Sequence, residues 1–320
     1  MIDDVLVHIY RGSLLESQHR GTLVILDRDG STVVALGDVT SPMFPRSSNK
    51  PMQAVGMVEA GLDIEPALLA LVAASHSGGP EHIAGAERIL ALHGRSVAEL
   101  RCTPRMPLGA TERRAYVLAG GAPAPVAADC SGKHAGFVAT CAINHWSIDD
   151  YLDADHPVQR ACLDAVQRLA GESVTDVSVD GCGAPLFSLS LTGLARAFRA
   201  IAMADANSPA GRVAHAMRTH PEMVAGTDRD VTLAMQQVPG LIAKDGAEAV
   251  MAMSLPDGRA MALKISDGAK RGITPVTAAV LAAWGSPVRL IQPRVLGGGQ
   301  DVGTVAHAPQ LDSALSALQS

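Results

Sequence analysis

Two antiparallel hairpin signals, one near each end of the chain, constrain the fold more than any other feature. Thr22–Asp27 and Ser31–Leu36 are β-rich runs separated by Arg28-Asp29-Gly30. Ala249–Leu255 and Ala260–Ile265 flank Pro256-Asp257-Gly258-Arg259. An Asp-Gly step between such runs signals a hairpin. Between the two, apolar residues recur at helical spacing, with alanine dominant. Helices are expected over Gln53–Gly61, Glu65–Ala74, His82–His93, His156–Ala170, Leu189–Ala204, Ser208–Thr219 and Thr277–Trp284. Strands outside and helices inside predict an α+β fold. Hairpins from about 1–45 and 240–320 would form one antiparallel sheet, with the mostly helical middle packed on it. No repeat, low-complexity tract or linker interrupts the 320 residues, so one domain over 1–320 is expected.

Composition removes several function classes. With 48% hydrophobic residues the chain can bury a large core and is not a disordered polymer. The mean hydropathy, +0.19, is high, yet no apolar run reaches the ~18 residues of a membrane span. The longest, Leu68–Ala74 and Val276–Trp284, suit buried helices. A net charge of −6 with no basic stripe argues against nucleic acid as a partner. Met1-Ile2-Asp3-Asp4 lacks the basic and apolar regions of a secretory leader. Five cysteines are an odd, sparse count that disfavours a disulfide framework. A cytoplasmic, reduced protein is expected.

The basic residues are uneven: 21 arginines against five lysines, Lys50, Lys133, Lys244, Lys264 and Lys270. A desolvated amine can lose its proton, whereas a guanidinium effectively cannot. Lysine retained against such a bias hints at chemistry.

Three of these lysines fall in small-polar or glycine-bearing segments that interrupt the apolar pattern. In Pro45-Arg46-Ser47-Ser48-Asn49-Lys50, Ser47 and Lys50 span the entry to a helix, and Pro51 disfavours helical geometry at Lys50. A serine hydroxyl needs a base, and a lysine amine is one only when neutral. Lowering its pKa from ~10.4 to near 7 takes roughly 4 to 5 kcal/mol of desolvation and neighbouring charge. A plain helix cap by Ser47 or Ser48 is the competing explanation. Ser75, beside His76 and Ser77 and before Gly78-Gly79-Pro80, is a second hydroxyl candidate with Lys244 as its partner; a capped helix end is the alternative. Cys130, in Cys130-Ser131-Gly132-Lys133, and Cys182 could hold a soft divalent ion such as zinc, though buried inert cysteine is commoner. Cys102, Cys141 and Cys162 read as packing residues. Asp180 follows the β-rich Val174–Val179 and could hold a substrate ammonium or simply form a turn. His134 stands beside Lys133.

In order, these segments resemble the L-asparaginase II family of the rhizobial type, also called class 3. The likeness runs nearly end to end. It includes Tyr10-Arg11-Gly12, Glu16-Ser17, His19-Arg20-Gly21, Phe44–Lys50, Ser75-His76, Cys130–Gly136, Asp180–Pro185, Met217-Arg218, His220-Pro221-Glu222, Val224-Ala225-Gly226, Lys244–Glu248 and Leu263–Gly268. The resemblance implies a fold like serine β-lactamases and glutaminases. It implies two tandems, Ser47 with Lys50 and Ser75 with Lys244, and a zinc ion on Cys130, Lys133 and Cys182. It places Arg46, His134 and Asp180 around the substrate. It implies a homodimer that hydrolyses L-asparagine to L-aspartate and ammonia. Two positions depart from the family pattern: Ala127-Ala128-Asp129 stands where His-Asn-Asn is expected, and Gly79 where an acidic residue is expected.

Three other functions fit parts of the pattern. A glutaminase or β-lactam-type acyl enzyme would also use Ser–Lys pairs, but the Ser-Asp-Asn and Lys-Thr-Gly of β-lactamases are missing, Lys244-Asp245-Gly246 being only an echo. A metal hydrolase would need a less electron-rich site. A non-enzymatic amino-acid-binding or zinc-sensing protein would have no need of two Ser–Lys pairs.

Overall fold

The computed structural model describes residues 3–316 and 318; Met1, Ile2 and the extreme C-terminal part of the expected domain lie outside them. Among the described residues ten strands form: β1 Asp4–Arg11, β2 Leu14–Leu26, β3 Thr32–Leu36, β4 Val177–Val179, β5 Pro185–Phe187, β6 Ile242–Gly246, β7 Val250–Ser254, β8 Ala260–Ile265, β9 Val295–Gly297 and β10 Gln300–His307. Eight of them make one antiparallel sheet in the order β6-β7-β8-β2-β1-β10-β9, with β3 on β2. The two ends of the chain meet where β2 pairs β8, from Gly21 opposite Ile265 to Leu26 opposite Ala260. The expected mixed α+β class with one sheet from both ends is therefore what forms. β1, β9 and β10 were not read from the sequence; β1 has only a two-residue connection to β2, Gly12-Ser13, and extends the first hairpin into a meander.

The middle is helical, and the boundaries follow proline. Pro66, Pro80, Pro157 and Pro209 each open a helix at its first position, where the missing N–H costs nothing. These helices pack on one another, and the helix Leu191–Ala202 lays its apolar face on β7, β8 and β2. One continuous apolar cluster runs from the sheet (Leu23, Ile25, Met253, Leu263) into the helices (Val55, Leu71, Phe137, Phe198), all buried.

Two local readings are corrected. Lys50 is helical, with φ −58° and ψ −36°, despite Pro51. A tight turn over Arg46–Asn49 runs directly into the helix Lys50–Glu59, and the Lys50 N–H already bonds the Ser47 carbonyl, so the helical geometry is fixed from the N-terminal side. The Cys130–His134 segment is likewise no loop: Cys130 sits at the start of a helix, Ser131–Asn144. Two glycines in its first turns weaken the helical signal, but Gly132 packs where any side chain would strike the Leu71 carbonyl, and Gly136 lies against Val72.

Candidate active site

The turn Arg46–Asn49 carries Ser47 and delivers Lys50 to the first position of a buried helix. Arg46, just before Ser47, has φ +54°, an uncommon conformation for a residue with a Cβ. Its guanidinium is held by Asp180, Nε to Oδ1 at 2.8 Å. β6 ends against this turn. A Cβ on Gly246 would stand 2.6 Å from the Pro45 carbonyl oxygen, so only glycine lets the end of β6 approach the turn this closely.

Lys50, Lys133 and Lys244 are at most 2% exposed, so the lysines retained in these segments are buried amines. The Lys50 amine donates to the Ser75 hydroxyl at 2.9 Å and to the Ala74 carbonyl at 2.7 Å, with Asp129 Oδ2 at 3.8 Å. The contact thus joins the lysine of the first tandem to the serine of the second. Lys244 Nζ donates to Oδ1 and the main-chain carbonyl of Asp245, at 2.7 and 2.6 Å, rather than to Ser75. Burial pushes Lys244 down to about 8, against the pull of Asp245 and with help from Lys50. Burial alone would raise the Asp245 carboxyl, but Lys244, Arg229 at 2.9 Å and Lys270 hold it well below the usual range.

A crevice of about 70 Å³ opens here, lined by Ser47, Arg46, Arg105, Asp129, Asp180 and Cys182, among others. Ser47 is on its wall; Ser75 lies deeper, 5% exposed. The walls carry two guanidinium and two carboxylate groups, which suits a small zwitterion. A larger cleft of about 780 Å³ lies beside Asp245, lined also by Arg229, Lys270 and Glu112. None of the serines and lysines expected to do chemistry lines it.

Behind the crevice sits a cysteine cluster. Lys133 Nζ is 3.5 Å from Cys182 Sγ. Cys130 lies against Cys102 and His134, their ligand atoms all within 4.8 Å of one another. Cys130 holds the Cys182 thiol far below its ordinary range, against burial and with Lys133 and His134 assisting. His134 is fully buried, with Nδ1 on the Tyr151 hydroxyl at 2.9 Å. It stands among the cysteines rather than on the crevice wall expected of it. Cys102, expected to be a packing residue, belongs to this cluster; Cys141 and Cys162 are packing residues, each pushed up to about 12 by burial. Sequence reading also missed Asp129 and Arg105 as crevice residues. Asp129 had a signal, its place directly before Cys130; Arg105 had none.

Buried amines bonded to hydroxyl and carboxylate groups, next to a small crevice of mixed charge, are the equipment of a hydrolase acting by proton transfer. The chain belongs to the L-asparaginase II family, whose model matches residues 7–306. Among solved structures, the chain is similar to Mglu in its native form, with 14% identity and a TM-score of 0.45 over 90% of this chain and 70% of that one. It is also similar to a β-lactamase from Mycobacterium bovis, with 13% identity and a TM-score of 0.42 over 82% and 94%. The curated proteins include no match to the sequence.

Proposed function

We propose that the protein is an L-asparagine amidohydrolase working through a Ser–Lys activated nucleophile. The observation that carries this is the buried Lys50 amine on the Ser75 hydroxyl, beside a crevice walled by Ser47. Ser47 is the nucleophile because it reaches the crevice. Its Oγ attacks the side-chain carboxamide carbon while its proton passes to the Lys50 amine, and Ser75 and Lys244 serve the proton transfers that follow. The C–N bond breaks as the nitrogen takes a proton and leaves as ammonia. Water then hydrolyses the ester to aspartate and restores the serine. Arg46 and Arg105 are placed for the substrate carboxylate, Asp129 and Asp180 for its ammonium.

Zinc is part of the proposal. The donors present fit it: neighbouring thiols, and a His134 Nε2 that is buried without a partner. By the resemblance Cys130, Lys133 and Cys182 would hold the ion, whose contribution would be to fix the floor of the crevice. The resemblance also supports a homodimer, and the sparse, odd cysteine count supports a cytoplasmic location. No helix among the described residues is long and apolar enough to cross a membrane.

Ammonia release from asparagine and glutamine, with mass spectrometry of a trapped acyl adduct, tests the proposal. Ser47→Ala is expected to lower kcat at least about 10⁴-fold, as losing a nucleophile does. An adduct on Ser75 would reassign the nucleophile. Turnover of glutamine alone would make the enzyme a glutaminase, acylation by a penicillin would favour a β-lactam-type acyl enzyme, and asparagine binding without turnover would make it a binding protein.

A further inference from the structure

The cleft of about 780 Å³ has the size of a small-molecule pocket, and no step proposed above takes place in it. Asp245 joins it to the buried amines. Its Oδ1 accepts from Lys244 at 2.7 Å and its Oδ2 from Arg229 at 2.9 Å, with Lys270 Nζ at 3.9 Å. Arg271, also on the cleft, is held from behind. Its Nε donates to Nε2 of the buried His19 at 2.8 Å, and His19 Nδ1 bonds Asp267 at 2.7 Å. The rest of that guanidinium makes no hydrogen bond among the described residues, nor does the amine of Lys270, whose side chain is 57% exposed. Of the carboxylates on the cleft, Asp230 is taken up by the Thr274 hydroxyl and the Ile291 N–H. Glu112 and Asp228 make no hydrogen bond among the described residues. Leu108, Met251, Ile273 and Ile291 supply apolar surface.

We infer that this cleft binds a zwitterionic amino acid with an apolar side chain, which acts on Lys244 through Arg229 and Asp245. Its effect on turnover rests on the role proposed above for Lys244; the binding does not. Lys270 and Arg271 take the carboxylate, Glu112 and Asp228 the ammonium, and the apolar surface the side chain. None of the groups assigned to the substrate (Arg46, Arg105, Asp129 and Asp180) lines the cleft, so the two ligands do not compete. The charged groups facing Lys244 are Asp245, Lys50 and Arg229. A carboxylate on Lys270, beside Arg229, offsets the cations that otherwise offset Asp245. The Asp245 charge then falls more fully on Lys244, which keeps its proton and is less able to accept one. Ammonia release slows in consequence.

Calorimetry and ammonia release on the full-length protein test this, with L-leucine, L-methionine and L-phenylalanine as probes. At least one is expected to bind. The amide of that amino acid, without a carboxylate, and its N-acetyl form, without an ammonium, are each expected to bind at least about 10-fold more weakly. Ile291→Ser and Arg271→Gln, which alter the cleft wall, are expected to weaken binding. Saturating probe is expected to lower kcat about 5-fold or more and to leave KM for asparagine unchanged. Near pH 8, where Lys244 is part-protonated, binding is expected to take up protons, read as a heat that varies with the buffer's ionisation enthalpy. Asp245→Asn is expected to bind the probe and lose that uptake. No binding by any of the three, displacement of the probe by asparagine, or full affinity in both Ile291→Ser and Arg271→Gln would overturn the site. Binding without proton uptake would overturn its link to Lys244. Binding with proton uptake in a protein that releases no ammonia from asparagine would uphold this inference and overturn the function proposed above.

Discussion

At the scale of single residues, the unequal use of lysine was the most informative signal in the sequence. It located amines that the fold buries, but it could not say which hydroxyl each amine meets. That depends on the side-chain reach of Lys50 across to Ser75, 25 positions away. Lys244 makes the chemistry testable by pH. Below about 8 its amine is mostly charged, and above it mostly neutral. If the neutral amine takes part in proton transfer, kcat/KM for ammonia release rises as pH passes from 7 to 9. Asp245 raises the Lys244 pKa, so Asp245→Asn removes that pull and moves the rising limb to lower pH. A limb in the same place in the variant would exclude Lys244 from the proton path. Stability carries the same sign. A lysine with a depressed folded pKa opposes folding fully below about 8, and that opposition fades as pH climbs to the unfolded value near 10.4.

At the scale of elements, the site depends on how closely a strand approaches a turn. Gly246 ends β6 against the turn of Ser47, with no room for a Cβ before the Pro45 carbonyl. Gly246→Ala forces backbone from backbone, because the obstructing atom is not the tip of a flexible side chain. It is expected to lower stability by about 1–3 kcal/mol, read as a lower denaturation midpoint. It is also expected to lower kcat more than KM, since it shifts β6 and its Lys244 relative to the turn of Ser47 while leaving the guanidinium and carboxylate groups of the crevice in place. Unchanged kcat would show that the spacing of β6 from the turn is not critical. Elements with a clear period or a proline start were legible: the helices opened by Pro66, Pro157 and Pro209, and the hairpin of β7 and β8. The helix Ser131–Asn144 was not. Its first turns hold Gly132 and Gly136, which local propensity reads as a turn and which packing on Leu71 and Val72 requires. Cys102 was illegible for a similar reason: its neighbours Cys130 and Cys182 come from distant segments, and no spacing in the sequence encodes their meeting.

At the scale of the whole molecule, the question is whether sheet and helical layer fold as one body. The junction of β2 with β8 stitches the two ends of the chain together, and the helix Leu191–Ala202 inserts its apolar face between the sheet and the other helices. The apolar cluster passes from one layer to the other. Such continuity predicts a single cooperative transition. Two tryptophans report on it from different places. Trp146 packs at the end of the helix Ser131–Asn144, against His156. Trp284 is buried at the end of the helix Ile273–Ala283, with the Arg259 guanidinium 5.7 Å from its ring. The single-tryptophan variants Trp146→Phe and Trp284→Phe are each expected to unfold in urea with the same midpoint by fluorescence and by far-ultraviolet circular dichroism. Separate midpoints, with Trp284 fluorescence changing apart from Trp146, would divide the chain into a sheet unit and a helical unit. The proposed site draws Ser47 and Lys50 from the start of the helical part, Asp180 from its middle and Lys244 from the sheet. Ammonia release should therefore vanish with the first unfolding transition whichever way the chain divides, and at the common midpoint if it does not.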